Sequence, residues 1–308
     1  MRAAQITAWG AVPKYEPRTP PLPPPTPSQI RIRVLASGLH RLARGQVTGK
    51  HYSVSHSSLP FIPGVDGVGL TPEGDVVYFM SPSGGAFAEH VNVEKKLVVE
   101  LSPDARVKQV AGLVNPGLAS WMALKSRIQG LDFSKDGKLS VVILGVTTLS
   151  GKLASEFARK LGFSRVVGVA RNLKEMEKLA LDDTILLEED PRRSEWSKLG
   201  DVDVVLDFLY GEPALECLKA LQSARPTQYV QIGVMAGLVA LLPAELLRSK
   251  NITIRGSGPG SWTMAQFAAE LQHIVRAVEG LKEHALETRM LEQIEATWAE
   301  EQRTVFIL

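Results

Sequence analysis

Only one of the 308 residues is a cysteine, Cys217. That excludes an internal disulfide framework and a cysteine-rich structural zinc site, and it fits a reducing, cytoplasmic compartment. Charge of one sign is also scarce: 35 Lys and Arg stand against 33 Asp and Glu, a net +2. A general electrostatic grip on nucleic acid or an anionic membrane is therefore not expected. Long hydrophobic runs are missing. The longest, Ile232 to Ala244, is interrupted by two glycines and a proline and is too short to span a bilayer. No long apolar stretch follows the N-terminal Met-Arg-Ala-Ala-Gln-Ile-Thr, so no secretory signal is expected. What is present is 44% hydrophobic and 22% charged residues, enough apolar material over this length for two folded domains rather than a disordered chain.

The chain changes character along its length. Up to about residue 115 it is rich in Pro and Gly, with short alternating runs at Ile30–Leu35, Asp75–Phe79 and Phe87–Val93. Period-two alternation between turn residues predicts a β-rich domain. Pro17 to Pro27 holds seven prolines, read as a stiff loop rather than a polyproline ligand because strands flank it closely. From Leu139 the rhythm becomes strand and helix by turns. Strands are expected at Leu139–Leu144, Arg165–Ala170, Asp203–Asp207 and Tyr229–Gly233. Helices are expected at Lys152–Gly162, Leu173–Ala180 and Pro213–Leu221. Nearly continuous apolar strands alternating with helices predict a parallel sheet covered on both faces. Helices over Met264–Glu279 and Leu281–Ile294 and a strand at Thr304–Leu308 complete the reading.

The strand ending at Leu144 runs into Gly145-Val-Thr-Thr-Leu-Ser-Gly151 and then a helix. A strand, a glycine-containing turn and a helix N-terminus form the usual cradle for a dinucleotide pyrophosphate, although the strict G-x-G-x-x-G spacing is not kept. The residue that discriminates NAD from NADP lies about 20 positions past the last glycine. Here that position is Arg171, and no acid lies between Gly162 and Lys174. An arginine cannot accept bonds from the ribose hydroxyls, but its guanidinium matches a 2′-phosphate, so NADPH is expected, with Asn172 donating from beside it.

Several strings then resemble one family, the zinc-independent quinone oxidoreductase branch of the medium-chain dehydrogenases/reductases. They are Ala36-Ser-Gly-Leu39, Pro60-Phe-Ile-Pro-Gly-Val-Asp-Gly-Val-Gly69, Gly85-Ala-Phe-Ala-Glu-His90, Asn115-Pro-Gly-Leu118, the run from Asp203 to Pro213, Tyr229 to Gly237 and Ile254 to Ser261. The resemblance implies an α/β protein: a GroES-like β-rich catalytic domain over residues 1–117, a Rossmann doubly wound parallel-sheet NADPH domain over 118–256, and a return to the catalytic domain over 257–308. It implies hydride transfer from NADPH to a quinone-type acceptor, and often a homodimer. The zinc-dependent branch needs a Cys near position 40 and a His at position 65, where this chain has His40 and Val65, so no metal is expected.

The resemblance also distributes roles. Asn115 and the backbone of Ile232, Gly233 and Val234 are expected along the nicotinamide, and Gly145, Thr147, Thr148, Leu149 and Ser150 at the pyrophosphate. Phe208 and Leu209 are expected beside the adenosine, and Ser257 and Gly258 near the phosphate or nicotinamide side. Thr148 replaces the family's usual glycine, and its hydroxyl is itself able to donate to phosphate. Tyr52 and His40 are the candidate proton donors, although a plain loop tyrosine and a cleft-lining histidine fit as well. A small-molecule quinone or an activated alkene is the expected partner. Reduction of an enal or enone C=C bond, or NADPH binding without catalysis, remain the alternatives.

Overall fold

Two short strands open the chain, β1 (Ala3–Gln5) and β2 (Lys14–Glu16), paired antiparallel. The alternation at residues 30–35 lies within β3 (Gln29–Gly38), where Ile32, Val34 and Ala36 are buried and Arg33 is exposed. Helix α1 (Arg41–Val47) follows, then β4 (Asp66–Leu70), β5 (Val76–Met80), β6 (His90–Glu94) and β7 (Val98–Glu100). The proline-rich stretch is the loop that was expected. Arg31 donates to the carbonyls of Leu22 and Pro23, Asn92 to Pro23 and Lys95 to Pro27, so its acceptors are tied to the sheet. The structure is a computed structural model and describes residues 1–51, 54–131, 138–222, 225–300 and 303–308.

Helix α2 (Val107–Met122) carries Pro116 in its interior. Pro116 and Gly117 disguise it in the sequence, since proline removes one intrahelical donor and both residues are poor helix formers.

The middle of the chain builds a doubly wound sheet. Its elements are β8 (Ser140–Leu144), α3 (Leu149–Leu161), β9 (Arg165–Ala170), α4 (Leu173–Met176), β10 (Asp183–Leu186), β11 (Val204–Asp207), α5 (Gly211–Ala220), β12 (Thr227–Gln231), α6 (Ala244–Ser249) and β13 (Ile252–Gly256). The six strands lie in the order β10-β9-β8-β11-β12-β13, all parallel. The central strand β8 is buried at every position, which is why it reads as an unbroken apolar run. Helix α3 ends at Gly162 with φ 103°, the left-handed cap its sequence predicts. Helix α4 is shorter than the expected Leu173–Ala180, because the chain must turn at once to enter β10, with Asp182 N–H donating to Val166 and Arg159 holding the Ala180 carbonyl.

Helix α7 (Met264–Glu279) forms as expected. The helix expected over Leu281–Ile294 does not. That stretch holds β14 (Glu287–Met290), a single 3₁₀ turn and α8 (Ile294–Thr297) before β15 (Thr304–Ile307). Strand β14 pairs in parallel with β15, so its backbone bonds are made across the sheet rather than along a helix. The second sheet has the order β14-β15-β3-β4-β5-β7, with β6 also on β3. Two units result: Met1–Asn115 with Ala268–Leu308, and Pro116–Phe267. The boundaries fall inside α2 and α7.

Candidate functional site

In the parallel-sheet unit the ends of neighbouring strands are hydrogen-bonded to one another. Gly145 N–H and Val146 N–H both reach Val169 O, at 2.8 and 3.3 Å, which joins the β8–α3 turn to the end of β9. Gly151 has to be glycine: a Cβ there would run into Gly145 O and the Val146 backbone. Thr148 is the N-cap of α3. Its hydroxyl accepts from Gly151 N–H at 3.0 Å and donates to Gly145 O at 2.8 Å. The hydroxyl proton is therefore used within the turn. The helix N-terminus still offers the N–H groups of Leu149 and Ser150, which have no intrahelical acceptor. Ser150 Oγ donates to Pro116 O at 2.9 Å, and Ser120 Oγ donates to Ser150 O at 2.7 Å. These two bonds tie the turn to α2.

Arg171 follows the last residue of β9, exposed, and makes no hydrogen bond or ion pair with any described residue. Asn172 is the N-cap of α4, its side-chain oxygen accepting from Glu175 N–H at 3.2 Å. The Asn172 amide NH₂ makes no hydrogen bond to a described residue.

The end of β11 carries a clamp that the sequence does not advertise. Asp207 is fully buried. Its Oδ1 accepts from Leu209 N–H at 2.8 Å and Tyr210 N–H at 2.9 Å, and its Oδ2 accepts from the Tyr229 hydroxyl. Its backbone carbonyl accepts from Ile232 and Gly233 N–H at 2.8 and 3.0 Å. One residue thus sets the Phe208–Leu209 turn and the Ile232–Val234 turn together. Burial pushes the Asp207 carboxyl above the usual carboxylate range, opposed by these three donors. Burial, with the Asp207 charge beside it, pushes the Tyr229 phenol up. The clamp also holds Tyr210 at φ 59°, ψ −164°, a region otherwise left to glycine. At the next strand end, Ser257 N–H donates to Gln231 O at 2.8 Å, and Gly258 N–H donates to Ser261 Oγ at 2.8 Å.

The other unit holds a second buried group. His40, the N-cap of α1, is 2% exposed, and its Nε2 lies 3.2 Å from Asp66 Oδ1. The Tyr78 hydroxyl donates to Asp66 Oδ2 at 2.8 Å. Among the described residues, both His40 nitrogens and Asp66 Oδ1 lack an aligned hydrogen-bond partner, and burial makes an unmade bond costly there. Burial, the Asp66 charge and the hydrogen bond to it raise the Tyr78 phenol well above its ordinary value. Asn115 is half-buried within α2, and its side chain makes no hydrogen bond to a described residue. Tyr52 lies outside the described residues. No group of three or more His, Cys, Asp or Glu among the described residues could hold a metal ion. Nor is any described helix long and apolar enough to cross a membrane.

The expected residues of the parallel-sheet unit therefore gather at the carboxyl ends of β8, β9, β11, β12 and β13, where open α/β sheets bind ligands. The partners of His40 and the Asp207–Tyr229 bond escaped sequence reading. Each links residues more than ten positions apart with no shared motif.

The chain matches no protein-family model. It is 32% identical to the probable NADPH-dependent quinone reductase tdiC of Emericella nidulans, over 92% of this chain and 91% of that protein. The quinone oxidoreductase of Thermus thermophilus, a protein also described in complex with NADPH, superposes with a TM-score of 0.79 at 22% identity over the full length of both chains. A 2-haloacrylate reductase superposes at 0.80 with 18% identity, over 100% of this chain and 99% of that one. By sequence over nearly its whole length, and by a fold shared end to end, this chain belongs to the quinone oxidoreductase family of the medium-chain dehydrogenases/reductases.

Proposed function

We propose that this protein is an NADPH-dependent oxidoreductase that delivers hydride to a quinone-type acceptor without a metal. The observation that carries the cofactor choice is Arg171, an exposed guanidinium with no partner among the described residues, just past β9, where an acid would serve NAD. The acceptor class rests on the relationship to the Emericella nidulans protein.

The residues fit the cofactor. Gly151 lets the turn close against Gly145 O, and the open N–H groups of Leu149 and Ser150 suit a pyrophosphate, with Gly145 and Thr147 completing the turn. The half-buried Leu209 offers apolar surface for the adenosine next to the buried Phe208, while Ser257 and Gly258 sit at the neighbouring strand end. Ile232, Gly233, Val234 and Asn115 are assigned to the nicotinamide. When bound, NADPH supplies the hydride from its nicotinamide ring. The protein's part is to orient, to exclude water and to furnish one proton, since a quinone that gains a hydride still needs H⁺ to become the hydroquinone.

His40 is assigned as the proton source, oriented by Asp66, with Tyr52 as the second candidate. Little acid strength is required, because the aromatic ring stabilises the reduced oxygen. The absence of zinc is supported by Val65 and by the two-member set His40 and Asp66, one ligand short of a catalytic zinc site. Catalytic work is assigned to residues 1–117 with 257–308, and cofactor binding to 118–256. A cytoplasmic homodimer completes the reading. The edge strand β13 and the exposed Leu238, Val239 and Leu241 are the surface a second copy would cover.

Initial rates with NADPH and NADH against a benzoquinone and a medium-length enal test the reading. We expect NADPH with the quinone to be fastest, and Arg171→Ala to weaken NADPH binding by about 10- to 100-fold while NADH is unaffected. Equal use of both cofactors by the unmodified protein would overturn it.

A further inference from the structure

Glu175 binds two lysines at once. Its Oε2 lies 2.8 Å from Lys152 Nζ, and its Oε1 meets Lys178 Nζ. The two lysines differ. Lys178 is an i,i+3 neighbour, 68% exposed, whereas Lys152 comes from α3 and is 28% exposed. Lys152 directly follows Gly151, in the helix that opens on the proposed pyrophosphate turn, and that turn is bonded to the end of β9 through Val169 O. Glu175 N–H is in turn bonded to Asn172 Oδ1. The Lys152 ammonium is therefore held at the first turn of α4, whose N-cap Asn172 directly follows Arg171.

The charge arrangement has a direction. Arg171 and Lys174 are exposed and without a partner among the described residues, while one carboxylate is shared between Lys152 and Lys178. The paired lysines hold the Glu175 carboxyl down to about 2, so it is ionised throughout the working pH range. A carboxylate with two cations can give up one and stay neutralised by the other. A phosphate dianion beside Arg171 is the group that would draw one away. Lys178 lies a further turn from Arg171 along the chain, so Lys152 is the one placed to move.

We propose that Lys152 is a second reader of the cofactor's 2′-phosphate, held in place by Glu175 and transferred from that carboxylate to the phosphate on binding. Lys178 remains as the counter-ion of Glu175. The inference rests on the NADPH reading above, and it makes NADPH preference a property of two elements, the loop after β9 and the first turn of α3.

The test is calorimetric binding of adenosine 2′,5′-bisphosphate and of 5′-AMP to the full chain at low salt. The unmodified protein, Lys152→Met, Lys178→Met and Glu175→Gln are compared. The unmodified protein should prefer the bisphosphate. Lys152→Met should reduce that preference about tenfold while 5′-AMP binds as before. Lys178→Met should weaken the bisphosphate about twofold, less than Lys152→Met does, because Glu175 is then left without its other counter-ion, and Glu175→Gln should bind it roughly threefold more tightly. A Lys152→Met protein that keeps its preference, or loses both nucleotides equally, overturns the assignment. So does a Lys178→Met loss as large as that of Lys152→Met. If the unmodified protein does not distinguish the two nucleotides, the NADPH reading falls and this inference falls with it.

Discussion

Each unit buries an aspartate against a tyrosine, and the two pairs are finished differently. Asp207 is closed: two backbone N–H groups and the Tyr229 hydroxyl occupy its oxygens, and its carbonyl holds two more N–H groups. Asp66 is open. Tyr78 satisfies one oxygen, and the other faces His40 with no aligned bond among the described residues. A saturated buried carboxylate fixes the backbone around it, whereas an unsaturated one beside an imidazole keeps a donor or acceptor available for chemistry. The difference separates a residue that fixes the Phe208–Leu209 and Ile232–Val234 turns from one that faces His40, the proposed proton donor.

The largest expected effect tests that contrast directly. His40→Asn and Asp66→Asn should each lower kcat for the quinone about tenfold with NADPH affinity unchanged, a small effect for a general acid because the reduced oxygen is already stabilised. Asp207→Asn, which keeps its acceptor for the two N–H groups, should leave kcat within about twofold. Steady-state kinetics paired with cofactor titration checks both. Comparable losses from Asp66→Asn and Asp207→Asn would erase the distinction.

A smaller effect concerns the strain that the closed clamp carries. Tyr210→Gly should stabilise the protein by about 1 kcal/mol, since only glycine adopts its backbone angles without strain. Thermal or denaturant unfolding would show it. A loss of stability would mean that Tyr210 packing outweighs its strain.

The smallest effect is a pH slope. The Asp207 carboxyl is raised in the folded state, so the folded protein binds its proton more readily than the unfolded chain. Its contribution is complete below the unfolded value, near 4, and is lost as pH rises through the folded value. Relative to Asp207→Asn, the unmodified protein should therefore gain stability as pH falls from 7 towards 4. Unfolding midpoints across that range measure it, and a flat difference would place the carboxylate in a wetter site.

The legible parts of the fold were those whose signal is local. Strand β8 is apolar throughout because both faces are covered. Helix α3 carries its period in Leu153, Phe157 and Leu161 and its stop in Gly162. Where two neighbours compete for the same backbone, local pattern failed. Leu281–Ile294 has helical spacing, yet Glu287–Met290 pairs with Thr304–Ile307, and α2 forms in spite of Pro116. Within the candidate site, counting from Gly151 found Arg171. Lys152 was passed over because its meaning depends on Glu175, 23 residues away.

The amino-acid sequence by itself determined the order of elements, the glycine turn after β8 and the exchange of acid for arginine after β9. Each follows from neighbouring residues and the backbone geometry they allow. Only the tertiary structure decided which polar groups are closed and which are left open. It joined Asp66 to His40 and Tyr78 and Asp207 to Tyr229, and it brought Lys152 to Glu175. Burial sets the cost of an unmade hydrogen bond, and burial is a property of the packed chain rather than of any stretch of it.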